Sequence, residues 1–84
     1  MAMGGKRDSL EIMADILGLC STPKTKTHVM YGTNLSWKML QNYLSELQSR
    51  KLLENQRKSK TYVTTEKGKE FMEKWRELKE LLAR

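Results

Sequence analysis

Apolar residues near the start of the chain recur at helical spacing: Leu10, Met13, Ile16, Leu17 and Cys20, with Ile12 and Leu19 widening the face. Asp8 followed by Glu11 matches a capping box. Together they predict a helix of about three to four turns, ended by Ser21-Thr22-Pro23. Thr22-Pro23 predicts a second, short helix through Lys24, Lys26, His28, Val29 and Met30 to Gly32. Pro is tolerated at a first helical position, and Gly relieves the backbone cost of a tight turn. Ser36 is then a cap for a third helix, with Leu40, Tyr43, Leu44 and Leu47 as its apolar stripe and Met39 beside it. Lys38, Gln41, Asn42, Ser45, Gln48 and Ser49 fall on the opposite face.

After Leu52-Leu53 the period changes. Glu54-Asn55-Gln56 and Thr61-Tyr62-Val63-Thr64 read as two short strands around a turn at Arg57-Lys58-Ser59-Lys60. A pair this short cannot stand alone and must lean on the helices. Thr64 or Thr65 caps a last helix from about Lys67 onward. In it Phe71, Trp75, Leu78 and Leu82 are spaced as a heptad seam, with Met72 and Leu81 on the flank. Glu70 and Lys74, Lys69 and Glu73, and Arg76 and Glu80 are pairs of opposite sign on its outer side.

The element order is α-α-α-β-β-α, a mainly α (α+β) pattern and the order of a winged helix-turn-helix with a long C-terminal helix. That fold asks for an apolar residue beneath the turn, here Leu35, and a third helix that buries one side and shows uncharged or basic groups on the other. The expected division is a flexible tail over 1–6, a winged helix-turn-helix domain over 7–65 and a dimerisation helix over 66–84.

Charge sharpens this picture. The 84 residues carry a net charge of +6, and it is uneven. Residues 1–20 hold two bases and three acids, residues 66–84 six bases and five acids, and residues 21–65 eight bases against two acids. The middle of the chain therefore holds the excess, which points to a polyanion as partner. No stretch approaches the roughly 20 apolar residues of a membrane span, and Met1 to Gly5 hold no apolar signal segment. With one Cys and one His, no internal disulfide, metal site or cofactor is expected, and no nucleophile–base pair marks an enzyme.

Within that frame the candidate DNA contacts are Lys38, Gln41, Asn42 and Ser45 on the third helix, where Asn and Gln suit adenine edges and Lys suits guanine. Lys24, Lys26, Thr27 and Ser36 lie near the starts of the two motif helices, where backbone N–H groups favour an anion. Arg57, Lys58 and Lys60 are the expected wing contacts, edge protection of the sheet being their other use. Trp37 is expected to pack in the core, grazing the DNA being its other use; Tyr31 and Tyr43 are expected in the core, while Tyr62 covers the third helix. Cys20 reads as a buried small hydrophobe and His28 as a surface residue. Phe71, Trp75, Leu78 and Leu82 are the expected dimer interface, because aromatic groups of that size are not left wet together, folding back on their own domain being the other outlet.

The segment Thr25-Lys26-Thr27-His28-Val29-Met30-Tyr31-Gly32-Thr33-Asn34-Leu35-Ser36 resembles the K-T-x-x-M-Y-G-x-N-L-S stretch of small, basic archaeal winged-helix proteins first described from Sulfolobus. Thr61 to Gly68 is similar to that family's strand ending in T-x-K-G. The resemblance covers about Ser9 to Leu82. It implies double-stranded DNA binding by a homodimer whose C-terminal helices pair as an antiparallel coiled coil. It also implies a transcriptional regulator or chromosome-associated protein of the cytoplasm and nucleoid. The rival expectation is a winged-helix interaction module whose basic face meets an acidic protein.

Overall fold

The computed structural model describes residues 8–83, and the tail expected over 1–6 lies outside them. The order is α1 (Ser9–Leu19), β1 (Lys24–Thr25), α2 (Lys26–Thr33), α3 (Trp37–Ser49), β2 (Leu53–Gln56), β3 (Thr61–Thr64) and α4 (Glu66–Ala83). It is a winged-helix fold with one strand more than the sequence pattern indicated. The sheet is antiparallel throughout, in the order β1-β3-β2.

The capping signals work as read at three helix starts. The Asp8 carboxylate accepts from the Glu11 amide at 2.8 Å, the Ser36 hydroxyl from Met39 at 3.2 Å, and the Thr65 hydroxyl from Gly68 at 3.0 Å. Each satisfies an amide that the helix itself leaves without a partner.

The second helix differs from its expected form. Pro23 does not open it. Lys24 and Thr25 are extended and pair with Tyr62 and Thr61 of β3, and Thr25 caps α2 by accepting from His28 at 3.2 Å. Nor does Gly32 end it. The helix runs on to Thr33 and stops at Asn34, whose φ of 57° is the left-handed conformation that a short polar side chain tolerates. Gly32 serves close approach instead: a Cβ there would stand 2.7 Å from Leu19 Cδ1 of α1.

The core is one cluster. Ile12, Met13, Ile16, Leu17 and Cys20 of α1 and its end meet Val29 of α2, Leu40, Leu44 and Leu47 of α3, and Leu52, Leu53 and Tyr62 of the sheet region. Leu10, expected on the apolar face, is about half exposed. Two bonds tie the sheet to α1: the Thr64 amide donates to Cys20 O at 2.8 Å, and its buried hydroxyl donates to Leu17 O at 2.7 Å.

After α3 the chain turns in a Schellman arrangement. The Leu52 amide reaches Leu47 O at 2.9 Å, the Lys51 amide reaches Gln48 O at 3.0 Å, and Lys51 takes a φ of 65°. The first turn of α4 then lies directly on this corner. A Cβ at Gly68 would stand 2.3 Å from Leu52 O and 2.5 Å from Thr64 Cγ2, so only glycine fits.

Phe71 and Met72 pack on the core from α4, Trp75 is half-buried, and beyond it Leu78, Leu81 and Leu82 are exposed at 42%, 64% and 74%. The helix thus leaves its domain partway along, giving the molecule its 44 × 27 × 19 Å shape. Among the described residues none of its three expected ion pairs is closed; Lys69 instead reaches Glu66 at 3.5 Å.

Candidate functional site

The exposed face of α3 follows from its periodicity. Leu40, Leu44 and Leu47 are buried, so positions 38, 41, 42 and 45, spaced by three, four and seven residues, project together on the other side. Lys38, Gln41, Asn42 and Ser45 are all exposed there. Glu46, the only acid on the helix, is bound to Arg50 at 3.0 Å and does not break the face.

Trp37 is not core. It stands in the first turn of α3, 46% exposed, with the Lys26 ammonium 4.9 Å from its ring centroid. This is cation–π distance, and it joins the starts of α2 and α3. Tyr31 also departs from its expected burial, at 76% exposed, whereas half-buried Tyr43 meets Ser9 Oγ through its hydroxyl at 3.3 Å.

The wing is the β2–β3 hairpin. Arg57, Lys58, Ser59 and Lys60 form its loop, closed by the Lys60 amide on Arg57 O at 3.3 Å, and Lys60 ends it at a φ of 57°. Ser59 and Thr61 hydroxyls lie 2.6 Å apart, and Thr61 donates to the Gln56 side chain at 3.2 Å, which braces the tip. Arg57, Lys58 and Lys60 are all exposed.

Pairing of β1 with β3 brings the wing beside the first turn of α2. Between them opens a cleft of about 600 Å³ lined by Thr25, Lys26, Thr27, Asn55, Arg57, Lys60 and Tyr62. Of the expected contacts it gathers Lys26, Thr27, Arg57 and Lys60. Lys58 lies at the loop tip outside it. Lys24 is drawn into β1, where its ammonium donates to Thr22 Oγ1, and the Ser36 hydroxyl is engaged as the α3 cap. Thr25, Asn55 and Tyr62 complete this surface and were missed in the sequence, and Trp37, expected in the core, adjoins it through Lys26. Asn55 faces Tyr62 across the β2–β3 pair, and no local residue pattern distinguishes it from an ordinary polar strand residue.

Two groups near the floor titrate abnormally. Burial pushes the Cys20 thiol up to about 11 against a smaller opposing effect of the Lys24 ammonium, and burial also raises Tyr62. Among the described residues no group of three His, Cys, Asp or Glu side chains is placed to hold a metal ion, and no helix is long and apolar enough to cross a membrane.

Comparison with known proteins adds three findings. Residues 6–83 match the family model described as winged helix-turn-helix. The chain is 36% identical over 81 residues to the uncharacterized protein MJ0290 of Methanocaldococcus jannaschii, an alignment taking in 92% of this chain. It spans only 36% of that relative's length. Among solved structures, Sso10a-2, a DNA-binding protein from Sulfolobus solfataricus, superposes with a TM-score of 0.77 at 32% identity, covering 92% of this chain and 86% of the other.

Proposed function

The chain belongs to the winged helix-turn-helix family, and from that premise we propose that it binds double-stranded DNA as a homodimer, as a transcriptional regulator or chromosome-associated protein and without catalysis. One observation carries the reading. The exposed face of α3, the cation at the start of α2 and the basic wing adjoin one another, through the Lys26–Trp37 contact on one side and the β1–β3 pairing on the other. The structural likeness to a DNA-binding protein supports it.

In this reading Lys38, Gln41, Asn42 and Ser45 enter the major groove. Lys26, Thr27, Arg57, Lys58 and Lys60 follow the flanking backbone, with Lys24 and Ser36 at the margin. Residues 7–65 form the reading head and residues 66–84 the pairing helix.

The dimer rests on Trp75, Leu78 and Leu82, with Leu81 beside them. Phe71, at the near end of the seam, is already partly spent on its own core. Burying one fully exposed leucine contributes about 1.5–3 kcal/mol, and Leu78, Leu81 and Leu82, exposed at 42%, 64% and 74%, each have part of that left to gain.

Titration with an unrelated duplex at two salt concentrations, alongside solution mass, tests both parts. DNA binding predicts an affinity that falls with a log–log slope of about 0.9 per phosphate neutralised. No binding at low salt would transfer the surface to an acidic protein partner, and a monomeric mass at micromolar concentration would remove the dimer.

A further inference from the structure

The cleft between α2 and the wing is more than a patch of surface charge, and we propose that it is a discrete seat for one phosphate group together with its attached sugar. This deepens the DNA reading and rests on it: the cleft would grip a single backbone phosphate, and the same chemistry would admit a free polyphosphate that competes with the duplex.

Three observations carry the proposal. Its cations come from separate elements, Lys26 from α2 and Arg57 and Lys60 from the hairpin loop, and none of its lining residues is acidic. Alternation along β2 explains this, since Asn55 lines the cleft while its neighbours Glu54 and Gln56 belong to the other face. Secondly, the donors are varied enough to surround a tetrahedral anion. Residues bearing two ammonium groups, a guanidinium, the Asn55 amide and the Thr27 hydroxyl line it, and Thr25 accepts from His28 with its own hydroxyl hydrogen left to donate. Thirdly, the frame of the cleft is set before any ligand arrives. Lys26 is half-buried against Trp37, Lys60 is fixed in a left-handed turn, and the β1–β3 pairing sets the width. A volume of about 600 Å³ exceeds what a lone phosphate fills and lies within the range of sites for small organic ligands.

The test compares two substitutions that add the same charge one residue apart. Asn55→Asp puts a carboxylate inside the cleft; Gln56→Glu puts one just outside it. Amide NMR shifts of the full chain are followed with sodium pyrophosphate at fixed ionic strength, and duplex affinity is measured in parallel. The wild type is expected to show saturable shifts centred on residues 25–27 and 55–60. Asn55→Asp should abolish them and weaken the duplex about tenfold, the size of a lost charge-assisted hydrogen bond, while Gln56→Glu changes each less than threefold. Lys60→Gly, which keeps the left-handed turn and removes one cation, should weaken both and serves if Asn55→Asp does not fold.

Equal effects from the two acidic substitutions would overturn the proposal, as would pyrophosphate shifts that never saturate. Duplex binding without pyrophosphate saturation would sink the seat and leave the DNA reading standing. Saturation without duplex binding would do the reverse.

Discussion

Gly68→Ala would be an unusually costly methyl group. In an open helix interior the change stabilises by roughly 0.5–1 kcal/mol, because alanine loses less backbone entropy on folding. At this position the new Cβ would stand 2.3 Å from Leu52 O and 2.5 Å from Thr64 Cγ2, more than about 1 Å inside comfortable contact. Neither neighbour is free to retreat. Leu52 O accepts from the Thr65 amide at 3.1 Å, while Thr64 is anchored at both its amide and its hydroxyl to α1. Overpacking costs about 1–3 kcal/mol, and with neither neighbour able to retreat the upper end applies, so a net loss of about 2 kcal/mol is expected after the helix gain is subtracted. Two other glycines calibrate it. Gly18→Ala would place its Cβ 3.9 Å from Met72 Sδ, an ordinary contact, and should stabilise by up to about 1 kcal/mol. Gly32→Ala would press on the Leu19 side chain, whose Cδ1 at 2.7 Å must turn aside, and should fall between the other two. Urea unfolding at fixed protein concentration gives the three values from their midpoints. Gly68→Ala within about 0.5 kcal/mol of wild type would mean that α4 does not begin pressed against Leu52, and the description of that corner would be wrong.

Four further outcomes follow from the same geometry. Lys51→Gly relieves a left-handed residue in the turn after α3 and should raise stability by about 1 kcal/mol on thermal or urea unfolding; a loss would contradict the Schellman assignment. The Cys20 thiol is held near 11 by burial, so the folded state keeps its proton longer than the unfolded chain. Its contribution is complete below about pH 9 and falls as pH rises toward 11, by at most about 1.4 kcal/mol per pH unit; in Cys20→Ala that part of the alkaline loss should disappear. With Trp75→Phe the remaining Trp37 should change its fluorescence on duplex addition, whereas in Trp37→Phe the remaining Trp75 should respond to protein dilution instead. Arg57→Ala with Lys58→Ala should lower the salt slope of duplex binding by about 2 with the fold unchanged, seen by circular dichroism.

Much of this architecture was readable because it is local. The stripe Ile12, Ile16, Leu17 and the stripe Leu40, Leu44, Leu47 each declare a buried helix face within a few turns, and the Asp8 and Ser36 caps mark their starts. The basic hairpin was equally plain. What escaped reading depended on partners distant in sequence. Strand β1 is two residues long and exists only through its bonds to Tyr62 and Thr61, so nothing near Lys24 announces it. Pro23 and Gly32 have ordinary meanings at helix ends, yet here the strand displaced one and close contact with Leu19 accounts for the other. Trp37 is expected in the core from its place beside the α3 stripe, but its environment is set by Lys26, eleven residues upstream. The resemblance to archaeal winged-helix proteins agrees with the family match and the structural superposition. The individual contact residues follow from neither and stand as proposals.

The exit of α4 from its own domain has a consequence for how such a protein can vary. Because the part beyond Trp75 touches little of its own domain, residues can be added or removed there while the reading surface stays as it is. Each one moves the far end by about 1.5 Å and turns it by about 100°. In the proposed pair, the overhang is therefore an adjustable ruler: its length, and not the residues facing the duplex, sets which stretches of DNA two joined heads can reach at once.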